Sequence, residues 1–345
     1  MFGVFGQRGL RRTLFAACGL ASAAAVAPAH AQTQVKVLLD FRIQGPEAPF
    51  LVAIDRGYFR AEGLDVTVEP GNGSVDSVAR VGSGAYEMGF GDINTLIRLH
   101  DQNPSAAPKA VFMVYNRPPF AIIGRKSRGI AKPKDLEDKK LAAPTGDAAF
   151  AQWPIFAKIN DISAAKVTVL NVGFPVREPM LAAGEVDAVT GFSFTVFVDL
   201  KDKGVPVDDI LVMLMADYGL DLYGNTILAS PKFAAENPEA VKGFLRAYVK
   251  GLKDTVRGPS SAVDSVLKRN DFAKKDVELE RLRMAIKDAI LTPEVKTNGY
   301  GVVDAARLDR SIEQIGLVYK FKTKPKASEA FDDSFLPSAT ERKAN

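Results

Sequence analysis

Gly57-Tyr58-Phe59-Arg60-Ala61-Glu62-Gly63-Leu64-Asp65-Val66-Thr67-Val68 changes its period halfway through, and that change decides the fold class. The spacing upstream predicts a helix from Pro49 to Glu62, and Gly63 is placed to end it, because glycine alone takes the left-handed backbone at no steric cost and satisfies the last carbonyls. Leu64, Val66 and Val68 then alternate with Asp65, Thr67 and Glu69, the pattern of a half-buried strand. A helix handing over to a strand through a glycine is the repeating joint of an α/β protein.

The same joint recurs on both sides of this stretch. Val35 to Leu39 reads as a strand before the helix. After it, Gly71-Asn72-Gly73 turns the chain, Ser74 can cap a helix bearing Val75, Val78 and Ala79, and Tyr86, Met88 and Phe90 form a third strand. Asp92 stands where it can cap the helix carrying Ile93, Leu96 and Ile97, and Ala110 to Tyr115 is a fourth strand, interrupted by Pro118-Pro119. From Phe120 the pattern restarts, with strands at 120–124, 140–143, 167–170, 186–190 and 210–215 and helices near Lys134, Ala148 and Pro179. Asp217 to Gly224 is turn-rich and suited to carry the chain back. Amphipathic helices then dominate, over Pro238–Thr255, Ser260–Lys268, Asp276–Ile290 and Asp304–Ile315. The reading divides the chain into 1–31, 34–118 (first lobe), 119–222 (second lobe), 223–319 (return and C-terminal helices) and 320–345, a surface tail rich in Lys, Pro, Ser and acids.

One internal correspondence is closer than the general alternation. Gly84-Ala85-Tyr86-Glu87-Met88-Gly89-Phe90-Gly91 aligns with Gly184-Glu185-Val186-Asp187-Ala188-Val189-Thr190-Gly191, each with an acid three residues after the first glycine and a second glycine seven after it. It is read either as a duplicated half-sheet whose strands end at one crevice or as a helix-to-strand turn common to α/β proteins.

The N-terminus sets the compartment. Arg8, Arg11 and Arg12 precede an apolar stretch from Leu14 to Ala27 that closes on Ala29-His30-Ala31, a cleavable secretory leader too short to span a bilayer. Arg11-Arg12 raises twin-arginine export and Cys18 raises lipid attachment, but the residues around the pair match the first only loosely and too little apolar sequence precedes the second. The leader holds three of the 45 Lys and Arg and none of the 41 Asp and Glu, so the remainder is close to neutral. That argues against wholesale binding to nucleic acid or anionic membrane. Cys18 is the single cysteine and leaves with the leader, so the mature chain is expected to form no disulfide and no thiolate metal site.

The expectation from chemistry is a non-enzyme without metal or cofactor. Beyond the leader the one histidine is His100, near the end of a helix, and no H-E-x-x-H, C-x-x-C, G-x-S-x-G or G-x-x-x-x-G-K-[ST] occurs. Gly89-Phe90-Gly91 lacks the third glycine of a dinucleotide fingerprint. What the chain supplies instead is a set of strand-to-helix turns, where helix N-termini offer free N–H groups beyond the carboxyl ends of strands. From these turns the candidate ligand contacts are Phe41, Gln44, Glu47, Asn72, Ser74, Asp92 and Asn116 on the first lobe. On the second lobe they are Thr145, Asp147, Phe174, Thr190, Phe192 and Ser193. Each has a structural alternative: Asp92, Ser74 and Asp147 as caps, Phe174 and Phe192 as core, Gln44 as a turn residue.

Gly45-Pro46-Glu47-Ala48-Pro49-Phe50, Ala53-Ile54-Asp55-Arg56-Gly57-Tyr58-Phe59 and Glu62-Gly63-Leu64-Asp65-Val66 together resemble the periplasmic binding proteins of the nitrate, sulfonate, taurine and thiamine-pyrimidine-precursor ABC importers. Lys132-Pro133-Lys134-Asp135-Leu136 and the stretch from Met180 to Thr190 support the likeness, which spans most of residues 34–255. The resemblance implies a type II periplasmic-binding-protein fold: two lobes, each a mixed, mostly parallel sheet flanked by helices, closing on ligand by hinge motion. It implies a monomer in the periplasm that hands a small molecule to a membrane permease and its ATPase. Asp92, Glu47 and Asp147 would repel nitrate or a bare sulfonate but pair with an amino group, and Phe41, Tyr115, Trp153, Phe174 and Phe192 could wall a ring. The favoured ligand is therefore an amino-bearing heteroaromatic such as a thiamine pyrimidine precursor, with taurine or another sulfonate as runner-up. The same fold resembles enzymes that make the thiamine pyrimidine from bound pyridoxal phosphate and a sacrificed histidine; the export signal and the lack of a histidine in any candidate turn depart from that pattern.

Overall fold

The computed structural model describes residues 32–344, together with Met1; the leader reading, with Arg11-Arg12 and Cys18, lies outside the described residues. Among the described residues ten strands form two five-stranded sheets. The first contains β1 (Thr33–Leu38), β2 (Leu64–Glu69), β3 (Met88–Asp92), β4 (Lys109–Met113) and β10 (Asn225–Ala229) in the order β2-β1-β3-β10-β4. The second contains β5 (Phe120–Arg125), β6 (Lys140–Ala143), β7 (Thr168–Asn171), β8 (Ala188–Phe192) and β9 (Ile210–Leu214) in the order β7-β6-β8-β5-β9.

The two orders are one topology used twice. β1 runs parallel to β2 and β3, as β6 does to β7 and β8. β10 is antiparallel to β3 and β4, as β5 is to β8 and β9. In each sheet the antiparallel strand is the one on which the chain arrives after crossing between lobes. The crossovers lie side by side: Gly224 N–H donates to the Tyr115 carbonyl at 2.9 Å, and the Val114 and Tyr115 N–H groups donate to the Asn225 carbonyl at 3.0 and 2.9 Å.

The internal correspondence falls on equivalent places in the two sheets. Gly84 and Gly184 both take the left-handed backbone (φ 79° and 75°) and lead into the middle strands β3 and β8. The two acids repeat as well: Glu87 accepts from the Lys36 N–H on β1 at 2.8 Å, and Asp187 from the Lys140 N–H on β6 at 2.9 Å. Each carboxylate ties the start of its middle strand to the parallel neighbour. This is the duplicated half-sheet.

Four local expectations are corrected. The helix expected from Pro49 to Glu62 is two pieces, Ala48–Asp55 and Tyr58–Ala61, because Gly57 takes a left-handed conformation (φ 71°). The helix near Lys134 is a single 3₁₀ turn, Pro133–Leu136. β10 went unread because Asn225 to Ala229 is buried on both faces, so neither polarity nor period marks it among the helices that follow. The supposed surface tail from Lys320 packs instead, with Ala327, Ala330, Phe331 and Phe335 buried. Asp332 N–H donates to the Ala110 carbonyl at 2.9 Å. The segment thus covers the outer edge of β4, an edge that would otherwise offer unpaired backbone groups.

Candidate functional site

The lobes meet beyond the carboxyl ends of their parallel strands, where open α/β sheets bind ligands. An inner cavity of about 30 Å³ lies there. From the first lobe it is lined by Asp40 and Phe41 just after β1, and by Gly73 and Ser74 at the turn after β2. From the second it is lined by Asp147 and Ala148 after β6, Phe174 and Arg177 after β7, and Phe192 and Thr195 at the end of β8 and the start of the next helix.

Each lobe presents one buried carboxyl. Asp40 is 4% exposed, accepts from Asn225 Nδ2 at 2.7 Å and Ser74 Oγ at 3.3 Å, and has no cation within salt-bridge reach among the described residues. Burial pushes its pKa from 3.8 up to about 7, against the pull of those two hydrogen bonds. Asp147 caps the Ala148–Ile159 helix, accepting from Ala149 N–H at 3.1 Å and from Thr190 Oγ1 at 2.7 Å. Burial raises its pKa too, but the Arg177 guanidinium, 3.8 Å away, opposes the shift. Arg177 is itself only 2% exposed and holds Glu178 Oε1 through Nε at 3.0 Å and Nη2 at 2.5 Å. Glycine at 191 makes room for it, since a side chain there would stand 2.9 Å from Arg177 Nη1.

Aromatic rings close the cavity. Phe41 and Phe174, one from each lobe, pack with centroids 4.9 Å apart and planes at 56°. They also line a wider outer groove of about 760 Å³ that opens between the lobes and includes Arg42, Asn72, Val75, Thr145 and Pro175. The ring pair therefore stands on the border that cavity and groove share.

Of the thirteen residues expected at the site, Phe41, Ser74, Asp147, Phe174 and Phe192 line the inner cavity, and Asn72 and Thr145 the outer groove. The other six serve elsewhere. Asp92 is fully buried as a cap. One oxygen accepts from Asn94 N–H and Nδ2, the other from Thr95 N–H, Thr95 Oγ1 and Gln152 Nε2, so its acceptor capacity is spent. Glu47 turns inward to accept from the Gln44 N–H at 3.0 Å, and burial, then the neighbouring Asp40, raises its pKa well above the usual range. Gln44 is buried at the start of that same turn. Asn116 sits on the first crossover, accepting from Thr292 Oγ1 at 2.7 Å. Thr190 stands one bond behind the cavity, on Asp147, and the Ser193 N–H donates to the Pro119 carbonyl at 2.8 Å. Ser74 reaches the cavity but caps nothing, the cap position being Gly73. Two of the expected ring walls are also core: Trp153 packs on Phe156, and Tyr115 lies behind Phe192 with centroids 6.1 Å apart.

The reading of the turns included Gly73, within Gly71 to Ser74, and missed Asp40, Ala148, Arg177 and Thr195. Asp40 had a signal, a carboxylate at the end of the first strand, one residue short of the turn taken as starting at Phe41. Arg177 had none, since an arginine in the first turns of a helix looks solvated until the fold buries it.

Two lobes of identical topology, joined by paired crossovers around a cleft, define a type II periplasmic-binding-protein fold. The alkanesulfonate-binding protein SsuA from Xanthomonas axonopodis pv. citri shares it with a TM-score of 0.67 at 16% identity, over 86% of this chain and 95% of that one. Residues 46–262 match the family described as NMT1/THI5 like, and the chain belongs to that family. Among its relatives are the riboflavin-binding protein RibY of Chloroflexus aurantiacus, 27% identical over 85% of this chain and 83% of RibY. The formylaminopyrimidine-binding protein of Halalkalibacterium halodurans is 25% identical over 73% and 77% of the two chains. A 4-amino-5-hydroxymethyl-2-methylpyrimidine phosphate synthase of Schizosaccharomyces pombe is 27% identical over 61% of this chain and 62% of the synthase.

The synthases bring a cofactor into question, and the cavity does not fit it. Among the described residues no lysine lines the inner cavity or the outer groove, so pyridoxal phosphate has no amine there on which to form a Schiff base. His100 lies in the last turn of the Ile93–Gln102 helix, outside both linings.

Proposed function

We propose that this chain is the periplasmic solute-binding component of an ABC importer, exported by its leader, and that it captures an amino-bearing heteroaromatic molecule for a permease and ATPase. The observation that carries the ligand class is the pair Asp40 and Asp147, facing one cavity from opposite lobes beside the rings of Phe41, Phe174 and Phe192. Carboxyl groups in a cleft of low polarity accept from ring N–H and amino groups, and they repel an anion. Among the described residues the one cation lining the inner cavity, Arg177, is committed to Glu178 and Asp147, which leaves no free guanidinium there for a sulfonate or nitrate. The names of two relatives, riboflavin-binding and formylaminopyrimidine-binding, point to heteroaromatic rings as well.

Sulfonate binding is the runner-up and rests on fold likeness alone. The enzyme reading rests on the synthase relatives, and the composition of the cavity lining speaks against it.

The test is a melting screen of refolded protein against 4-amino-5-hydroxymethyl-2-methylpyrimidine, riboflavin, an alkanesulfonate and nitrate. A ring ligand at a hundred times its Kd stabilises the fold by about 2.7 kcal/mol. A shift with the sulfonate and none with either ring compound would sink the proposal.

A further inference from the structure

The seam where the lobes touch is made of backbone. Gly73, in the turn after β2, and Gly146, in the turn after β6, face each other across the cleft mouth with no side chain between them. A methyl group on Gly73 would collide with the Gly146 carbonyl, and one on Gly146 would stand 2.7 Å from the Asn72 carbonyl oxygen and 3.8 Å from the Gly73 Cα. The ring pair Phe41 and Phe174 belongs to the same mouth.

These two glycines differ in a way that isolates their common role. Gly73 has φ of 97°, where any other residue is strained, so a substitution there disturbs the first lobe's own turn. Gly146 is not among the residues with positive φ, and the contact under 3 Å that a methyl there would make crosses to the opposite lobe. A methyl at 146 therefore leaves each lobe intact and acts as a wedge between them.

We infer that the contact between Gly146 and Gly73 sets how far the cleft closes and, through that depth, the size of the ligand it holds best. With backbone against backbone, the lobes close on the inner cavity with Phe41 and Phe174 packed against each other at its edge. A ring ligand that enters between Phe41 and Phe174 parts them, and the glycine seam decides how tightly the lobes then settle on it. Small rings gain most from full closure. Larger ring systems hold the lobes apart and lose less when closure is blocked. The size argument rests on the heteroaromatic reading above; the closure argument does not.

The experiment uses the mature chain, which is free of cysteine beyond the leader, with Ser83→Cys and Glu185→Cys spin-labelled as exposed markers on the two lobes. Inter-label distances are measured without added ligand, and calorimetry is run with 4-amino-5-hydroxymethyl-2-methylpyrimidine and with riboflavin. Gly146→Ala is expected to remove the short-distance component that matches this structure while leaving the melting temperature unchanged. It should weaken the pyrimidine about tenfold, the usual scale of an overpacked contact, and riboflavin by less. Gly316→Ala is the control, since it lies outside both linings and a methyl there meets only the Phe321 ring, at 3.7 Å, and both readouts should stay as in the parent chain. A parent distribution without the short component, or a Gly146→Ala distribution that keeps it, overturns the inference. Should neither compound bind the parent chain, the ligand reading fails and the distances still decide the seam.

Discussion

Residues 92 and 192 occupy the same place in the two halves of this molecule and do different work. Both end the middle strand of their sheet and precede a helix. In the first lobe the position holds Asp92, whose carboxylate is used up by five donors and never reaches the cavity. In the second it holds Phe192, which caps nothing and walls the cavity instead. The buried acids diverge too: Asp40 is left with neutral partners, while Asp147 shares a buried network with Arg177 and Glu178. The repeated topology thus places the cleft, and each half carries a separate share of its chemistry. One face presents a carboxyl with neutral partners alone, and the other a carboxyl that shares one guanidinium with Glu178.

Three substitutions break or sharpen that contrast. The largest effect belongs to Arg177→Met, which leaves Asp147 and Glu178 buried without their cation and is expected to cost about 3–5 kcal/mol in urea unfolding. A cost below about 1 kcal/mol would show that Arg177 does not hold the second lobe's buried carboxyls.

Asp40→Asn comes next, and it acts on both binding and stability. Loss of a charge-assisted contact should weaken an amino-bearing ring by about 2 kcal/mol, roughly thirtyfold by calorimetry. The stability effect has the opposite sign. Because the folded pKa is raised from 3.8 to about 7, the folded chain holds more protons than the unfolded one between those values, and stability falls as pH rises through that window. Asp40→Asn should therefore be more stable than the parent at about pH 8, by on the order of 4 kcal/mol, and equal to it near pH 4. A pH-independent difference would mean that Asp40 does not titrate in this window.

The smallest effect on binding is expected from Asp92→Ser, which keeps a cap oxygen but leaves buried donors of Asn94 and Gln152 without an acceptor. Stability should fall by about 1–3 kcal/mol, with ligand affinity unchanged. Weakened binding of an amino-bearing ligand would return Asp92 to the site and remove the contrast with Phe192.

The places where sequence reading succeeded and failed follow from the range of each signal. Helix and strand periods, the Asp92 and Asp147 caps and the Gly84/Gly184 correspondence are local patterns, set by neighbours within a few residues. β10 was missed because burial on both faces erases the alternation that marks a strand. The segment from Lys320 looked solvated because its composition is polar, yet four apolar residues within it cover an edge strand. Asp92 is legible in the sequence as a cap but not as a carboxylate whose acceptors are all occupied, for one reason: a carboxylate's lone pairs can be counted only when all its donors are known.

By itself the sequence determined that two α/β halves follow one pattern, and that the turns at their strand ends would carry acids and aromatic rings. Which acids face the cavity, that Arg177 is spent on its neighbours, and that Gly73 and Gly146 let the lobes touch were decided only in three dimensions. The cleft is assembled from segments more than a hundred residues apart, and whether a charge there is free or balanced depends on partners that no local spacing reveals.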